Sequence, residues 1–156
     1  MNAATEIAPE TAAEQVPAIA LRAQYVKDLS FENPKAPQSL FTLKEPPTME
    51  VALNLGAQRL DQDVFELSIH INARAIADNA TIFIADLTYA GVLEVKGIAE
   101  EAVEQVVFIQ GAFLIYPFAR RVISDVTRDG GFPPLQMEPI DFFALYQQNK
   151  TKSQSA

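Results

Sequence analysis

The stretch DVFELSIHINARA, residues Asp63–Ala75, decides the fold class because apolar and polar side chains alternate along its length. The odd-numbered positions carry Phe65, Leu67, Ile69, Ile71 and Ala73, whereas the even-numbered positions carry Glu66, Ser68, His70, Asn72 and Arg74. Successive side chains of a β-strand point to opposite faces of the sheet. The stretch therefore predicts a strand with one buried and one solvated face.

Three further segments show the same two-residue period. They cover residues 21–32, 49–55 and 82–89, and their predicted buried positions are Leu21, Ala23, Tyr25, Leu29, Phe31, Met49, Val51, Leu53, Leu55, Phe83, Ala85, Leu87 and Tyr89. The linkers between the strands, residues 33–47 and 77–79, show no helical period, and prolines keep the longer one irregular. Strands joined without helices between them favour an antiparallel sheet.

Apolar residues recur with a helical period from Glu100 onwards. The stripe includes Val103, Val106 and Val107 and continues after Pro117 with Ala119, Val122, Ile123 and Val126. Pro117 is expected to start or kink the second helical piece, and Asp129-Gly130-Gly131 is expected to end it. Strands followed by helices predict an α+β fold, in which a four-stranded antiparallel sheet carries helices packed on one face.

The chain has the length of a single domain. Its 156 residues suffice for one hydrophobic core but not comfortably for two. Residues 1–17 are expected to form a disordered N-terminal tail, residues 18–147 the domain, and residues 148–156 a flexible C-terminal tail. The N-terminus lacks the basic start and apolar core of a signal peptide, and no run is expected to approach transmembrane length. These features predict a cytoplasmic protein that does not insert into a membrane.

Charge and composition exclude several classes of function. With 12 basic and 20 acidic residues the net charge is −8, which disfavours nucleic acids and anionic membranes and favours a basic partner. The absence of cysteine excludes thiolate chemistry, and a single histidine argues against a metal cluster. No glycine-rich phosphate loop follows a strand. No catalytic, cofactor-binding or metal-binding residue is predicted, and no cofactor is expected.

The predicted solvated sheet face is acidic on balance. It carries Asp28, Glu32, Glu50, Glu66 and Asp86 against Arg22 and Arg74, with Val26 and Ile84 as apolar residues among them. Such a face is most often only solvated, but apolar residues among charges are also typical of a docking surface. His70 is expected on this face without a nearby acid, so it is interpreted as a solvent-facing side chain.

The segment GGFPPLQMEPIDFFALY, residues Gly130–Tyr146, concentrates aromatic residues and prolines in a connector and a short helix. Asp141 stands where it can cap a helix that starts near Ile140. The aromatic side chains can simply fill the core, which the pattern alone favours. Phe142 and Phe143 are adjacent, however, and point to different sides of a helix, so both cannot easily share one core.

Three blocks of sequence together resemble the SecB family of bacterial export chaperones. They are YVKDLSFENP at Tyr25–Pro34, YPFAR at Tyr116–Arg120 and the segment Gly130–Tyr146, and they occur in the family's order. The resemblance extends from about Leu21 to Tyr146. It implies an ATP-independent, non-enzymatic chaperone of the cytosol, assembled as a homotetramer that is a dimer of dimers. Such a chaperone holds unfolded precursor proteins and delivers them to the SecA motor.

The resemblance also implies which residues bind each partner. The positions that match the family's SecA-binding face are Asp28, Glu32, Ile84 and Asp86. A hydrophobic groove bordered by the helix connector is implied for unfolded clients, with Phe132, Leu135, Phe142 and Tyr146 as its candidate residues. Two alternatives remain open, namely a non-catalytic adaptor for one folded basic partner and a chaperone that serves a toxin–antitoxin system. A small enzyme is disfavoured because no polar constellation is present.

Overall fold

A computed structural model describes residues 16–154, and it contains one four-stranded sheet with helices. The strands are β1 (Ala18–Glu32), β2 (Thr48–Asp61), β3 (Val64–Ala77) and β4 (Ala80–Lys96). The helices are α1 (Ser39–Thr42), α2 (Glu100–Val106), α3 (Ala112–Asp129) and α4 (Phe142–Gln154), with a π-helical turn at Val107–Gly111 between α2 and α3. The sheet order is β1-β4-β3-β2, and every neighbouring pair is antiparallel. The predicted fold class is confirmed.

The core lies between the sheet and the helices. The odd-numbered side chains of β3 and β4 are buried as predicted, and Leu67, Ile71 and Leu87 have no exposed surface. They pack against the buried face of α3, where Ile115 and Ile123 are fully buried as well. Burying each such side chain contributes roughly 1.5 to 3 kcal/mol. The alternation in the sequence therefore reports directly which sheet face the helices cover.

Two glycines let the helices approach the sheet closely. A Cβ on Gly111 would lie 2.5 Å from Leu93, and a Cβ on Gly91 would lie 2.8 Å from Ile115. Both distances are shorter than van der Waals contact, so a side chain at either position would push the helix away from the sheet. The close approach at Gly111 places the end of the π-helical turn against Leu67 of β3 and Leu93 of β4.

The central part of β1 has its two faces exchanged relative to the prediction. The pairing of β1 with β4 shifts between Leu21 and Ala23 and shifts again between Val26 and Asp28. A β-bulge adds one residue to a strand and so reverses the side-chain alternation beyond it. Between the two shifts, Ala23 and Tyr25 lie on the polar face, whereas Gln24 and Val26 lie on the helix side. The predictions that Ala23 and Tyr25 lie on the buried face and that Val26 lies on the solvated face with Ile84 were therefore wrong.

The helical region is continuous from Glu100 to Asp129. The helix does not start at Pro117, which lies inside α3 on its exposed side. Proline lacks an N–H, so the carbonyl of Phe113 is without its usual donor there. Gly130 caps the end of α3 by donating its N–H to the carbonyl of Val126, and Gly131 has φ 91°, so the predicted stop is confirmed.

This continuous helix is long and apolar enough to cross a membrane by length and composition alone. The expectation that no run approaches transmembrane length was therefore wrong. The reason lies in its packing, because one side of the helix buries Ile115, Ala119 and Ile123 against the sheet. A helix that covers a sheet must be apolar along that side.

The ends of the chain differ in what the structure describes. Of the predicted disordered tail, residues 1–15 lie outside the described residues, and β1 begins at Ala18. Asp141 caps α4 as predicted, because its carboxylate accepts the N–H of Ala144 at 3.0 Å. The helix then extends to Gln154, so residues 148–154, expected as a flexible tail, are helical. The hydroxyls of Thr151 and Ser153 donate to carbonyls one turn earlier.

Candidate docking face and apolar cleft

Cross-strand pairing brings the four predicted docking residues together. Glu32 pairs with Ile84, Ser30 pairs with Asp86, and Asp28 pairs with Thr88. Residues directly opposite each other in a sheet point to the same face. The four residues therefore form one patch on the polar side of β1 and β4, and we call Asp28, Glu32, Ile84 and Asp86 the acidic face.

Two other carboxylates on the polar side of the sheet, those of Glu66 and Glu94, are paired with cations. Glu66 lies 2.7 Å from Lys27 and accepts the hydroxyl of Tyr25, and Glu94 contacts Arg22 and Lys96. By contrast, among residues 16–154 neither Asp28 nor Glu32 takes part in an ion pair, and both are exposed. Asp28 and Glu32 therefore present negative charge that no cation among the described residues neutralises.

The contact between Tyr25 and Glu66 results from the two bulges in β1. The hydrogen bond to Glu66 and the burial of the phenol raise the pKa of Tyr25 to about 12. Hydrogen bonds from Lys27 and then Tyr25 lower the pKa of Glu66. Because β4 lies between β1 and β3, this network spans three strands and fixes the edge strand. Sequence reasoning missed it because a regular alternation would turn Tyr25 to the opposite face.

Asp86 is held by two neighbours on β3. The amide of Asn72 donates to its carboxylate at 2.8 Å, and Nε2 of His70 lies 3.0 Å and 3.1 Å from its two oxygens. The bond from Asn72 lowers the pKa of Asp86, burial opposes this effect, and His70 reinforces it. The expectation that His70 has no nearby acid was wrong, because residues far apart in sequence become diagonal neighbours across β3 and β4.

The predicted groove residues lie in two places. Phe132 is half-buried and packs on Phe83 with ring centroids 4.7 Å apart, and Phe83 packs in turn on Phe31 at 5.6 Å. Next to this stack, Leu40 touches Gly131, and Phe41 is 79% exposed. Phe142 belongs instead to the main core and Leu135 to its border, and Tyr146 is buried with 8% of its surface exposed.

Phe142 is part of the core of the subunit. Its side chain has no exposed surface, and its ring makes edge contacts with Phe113 at 5.2 Å and Tyr116 at 5.4 Å between centroids. Phe143 is 51% exposed, so the two adjacent phenylalanines do point to different sides. A client can reach Phe142 only if α4 moves. In this structure Phe142 packs α4 against the long helix.

Tyr146 borders a cleft on the helix side of β2. Two depressions of about 440 Å³ and 240 Å³ share Glu104 and Phe108 and so form one elongated cleft. We call it the β2 cleft. Its walls combine the apolar side chains of Leu55, Ala57, Phe65, Val103, Phe108 and Tyr146 with polar ones that include Arg59, Glu104 and Lys150. Nothing in the sequence placed this cleft, because it depends on how far α2 and α4 stand from the sheet edge.

The connector that carries Phe132 and Leu135 is fixed to the long helix at two points. The N–H of Leu135 donates to the hydroxyl of Thr127 at 2.9 Å, and the hydroxyl of Tyr116 donates to the carbonyl of Glu138 at 2.6 Å. Thr127 is fully buried, and its hydroxyl lies 3.0 Å from carbonyls of its own helix. These bonds hold an otherwise irregular segment in one extended path.

A separate apolar surface lies on the outer side of α3. Phe113, Leu114 and Phe118 are 54%, 39% and 37% exposed. Leu114 and Phe118 are one turn apart and share a side of the helix, whereas Phe113 lies beside Leu114 and packs its ring edge on Phe142. Apolar side chains clustered in this way are unusual on the surface of a protein that works as a single subunit. Within residues 16–154, no group of three or more His, Cys, Asp or Glu side chains could hold a metal ion.

Comparisons with known proteins agree on one family. A family model described as preprotein translocase subunit SecB matches residues 12–153. The protein-export protein SecB of Maricaulis maris is 42% identical over 156 residues, covering 100% of this chain and 91% of that protein. The protein of the same name from Parvibaculum lavamentivorans is 43% identical over 142 residues, covering 91% of this chain and 84% of that protein.

A solved structure shares the fold at low identity. It is the Mycobacterium tuberculosis Rv1957 SecB-like chaperone in complex with a ChAD peptide from the Rv1956 HigA1 antitoxin. The TM-score is 0.63 at 18% sequence identity, with 78% of this chain and 90% of that chain covered. At this identity the likeness establishes the arrangement of sheet and helices alone.

Proposed function

Because this chain belongs to the SecB family, we propose that it is a protein-export chaperone, which keeps unfolded precursor proteins from folding and delivers them to SecA. It acts in the cytoplasm without catalysis and without a cofactor. Its clients are recognised by apolar burial, and SecA is recognised by charge.

The observation that carries the proposal is the separation of two surfaces on opposite sides of one sheet. The acidic face lies on the polar side, whereas the β2 cleft and the stacked rings of Phe31, Phe83 and Phe132 lie on the helix side. A protein that hands a client to another protein must bind both at once. Two surfaces that do not overlap allow this, whereas a single shared site would force the client and SecA to compete.

Clients are held by several shallow apolar contacts. On the client surface, Phe132 and Leu135 lie on the connector and Tyr146 lies in the β2 cleft. Phe142, the buried first residue of α4, holds the start of that helix in place. Full burial of one apolar side chain is worth roughly 1.5 to 3 kcal/mol, so a few partial contacts can offset the cost of ordering an extended chain. Apolar contacts of this kind read no particular sequence, which suits a chaperone with many clients.

The proposal is tested with a panel of precursor proteins presented in unfolded and native forms. We expect binding to the unfolded forms, a delay in their refolding, and no binding to the native forms. Phe132→Ser should weaken the delay while leaving the subunit folded, and exchange of exposed Lys35 for serine is the matched control on the neighbouring loop. Tight binding to one native protein alone would identify the adaptor instead.

The exposed apolar side of α3 supports assembly into a homotetramer. Closed symmetric assemblies bury such surfaces, and the outer edge of β1 offers further unpaired backbone groups. Light scattering at micromolar concentration should give about four times the 17.1 kDa mass of one subunit. Leu114→Asp with Phe118→Asp should reduce that mass, whereas Gln105→Asp, an exposed change more than two turns earlier on the same continuous helix, should not. A monomer at this concentration would contradict the assembly.

A further inference from the structure

The contact of His70 with Asp86 has consequences for the acidic face. The chain contains a single histidine, and its Nε2 faces both carboxylate oxygens of Asp86. The amide of Asn72 holds one of these oxygens at 2.8 Å, so the carboxylate is fixed from the β3 side. The side chain of Asp86 is 30% exposed and that of His70 is 43% exposed, so both groups are accessible to solvent and to a partner.

We propose that His70 is a positioning residue of the acidic face, and that its protonated imidazole competes with a basic partner for the Asp86 carboxylate. With a neutral imidazole, Nε2–H and the Asn72 amide orient a carboxylate whose full negative charge is available to a lysine or arginine. With an imidazolium, the same carboxylate already has a cation within 3.1 Å. The inference rests on the proposed function, in which the acidic face docks on SecA.

The surroundings of His70 leave Asp86 as its main charged neighbour. Its direct neighbours in the sheet are Asn54 on β2 and Thr88 on β4, and neither side chain titrates. The other charged groups of this face are Glu66 and Arg74 on β3, Glu50 on β2, Glu94 and Lys96 on β4, and Arg22, Lys27, Asp28 and Glu32 on β1. Glu66 is bound by Lys27, and Glu50 and Arg74 face each other at 3.6 Å. A change of charge on His70 therefore acts first on Asp86.

The direction of the pH effect follows from which group changes its charge. The pKa of Asp86 is lowered, so its carboxylate stays ionised from pH 8 to about pH 6. Histidine is the side chain that ordinarily changes charge within this interval. As the pH falls, the imidazolium population grows and competes with the basic partner. Affinity for the partner should therefore fall with decreasing pH.

The test measures the affinity of the full-length chaperone for SecA at about pH 8 and about pH 6. We expect the wild type to lose about threefold in affinity between the two, the size typical of one exposed ion pair. His70→Gln should lose less than half as much, because glutamine can donate to Asp86 but cannot be protonated. Asn54→Ala, opposite His70 but uncharged, should keep the wild-type profile. Equal pH dependence in wild type and His70→Gln overturns the inference.

A second measurement separates this inference from the proposed function. The carbon-13 titration of the Asp86 carboxyl reports the coupling without any partner. In His70→Gln the pKa of Asp86 should rise towards its ordinary value, and an unchanged pKa overturns the coupling. If SecA does not bind the wild type at either pH while this titration responds, SecA docking fails and the His70–Asp86 coupling stands.

Discussion

Phe142→Ala should lower the free energy of unfolding by about 3 to 5 kcal/mol, the range measured when a buried phenylalanine is truncated. Phe142 has no exposed surface and contacts the rings of Phe113 and Tyr116, so its removal leaves a cavity where the start of α4 meets the long helix. Phe143→Ala, the adjacent residue at 51% exposure, should change the free energy by less than about 0.5 kcal/mol.

The two variants are compared by denaturant unfolding at one fixed subunit concentration, since the stability of an assembly depends on concentration. Helical circular dichroism reports the transition. A Phe142→Ala variant that keeps wild-type stability but no longer delays client folding would place Phe142 in the client surface and require that α4 opens. The expected outcome assigns it to the core, and Phe132 and Tyr146 then carry more of the client surface.

The sequence predicts that Phe142 and Phe143 point to different sides of the helix, but it does not predict which of the two is buried. Their adjacency requires that they point to different sides of α4. Which one enters the core depends on the rotation of α4 about its axis, and this is set by the cap at Asp141 and by the positions of Phe113 and Tyr116. The positions of Phe113 and Tyr116 depend on the tertiary packing of the long helix, which the sequence around Phe142 does not indicate.

The side-chain pattern of the central strand β3 could be predicted from the sequence, whereas that of the edge strand β1 could not. β3 has neighbours on both sides and a helical layer above it, so any slip would bury its polar side chains, and its alternation is unbroken. β1 is bonded on one side only and tolerates two bulges. Nothing in the order of residues 21–32 marks the bulges, which is why Tyr25 and Val26 were assigned to the wrong faces.

The neighbour of His70 could have been found from the sequence by combining two patterns. Extending the pairing of Ala77 with Ala80 without interruption would set Ile71 opposite Asp86, an apolar side chain against a carboxylate. The alternation of β3 and β4 excludes this register and requires one shift, which the structure has between Ala75 and Ile76. The corrected register sets Asn72 opposite Asp86 and His70 one diagonal away.

Reversing Asp28, Glu32 and Asp86 to lysine should reduce SecA affinity by roughly tenfold or more. Each exposed ion pair contributes only ~0.2 to 1 kcal/mol, so single reversals should be mild, and the combined change replaces three attractions by three repulsions. The effect should be largest at low salt and should shrink as salt screens the charges. Client binding, which depends on apolar burial, should change little with salt.

The control is a second triple variant with the same change of net charge at positions outside the acidic face. Reversal of Glu45, Asp61 and Asp129, which are exposed and lie outside the acidic face, should leave SecA affinity close to that of the wild type. Loss of affinity in both triple variants would indicate a general effect of net charge. Because Asp86 is bonded to Asn72 and His70, the double reversal of Asp28 and Glu32 is the variant to use if the triple reversal unfolds.

Full SecA affinity in a folded triple variant would place the docking surface elsewhere on the molecule. The distribution of charge argues against that result. Glu66 and Glu94 are neutralised by Lys27, Arg22 and Lys96, so a basic partner gains little from the far end of the sheet. The carboxylates of Asp28 and Glu32 have no such partner within residues 16–154. Ile84 on β4, paired with Glu32, adds an apolar contact to the same face. The acidic face therefore offers a basic surface both its charge and its apolar centre.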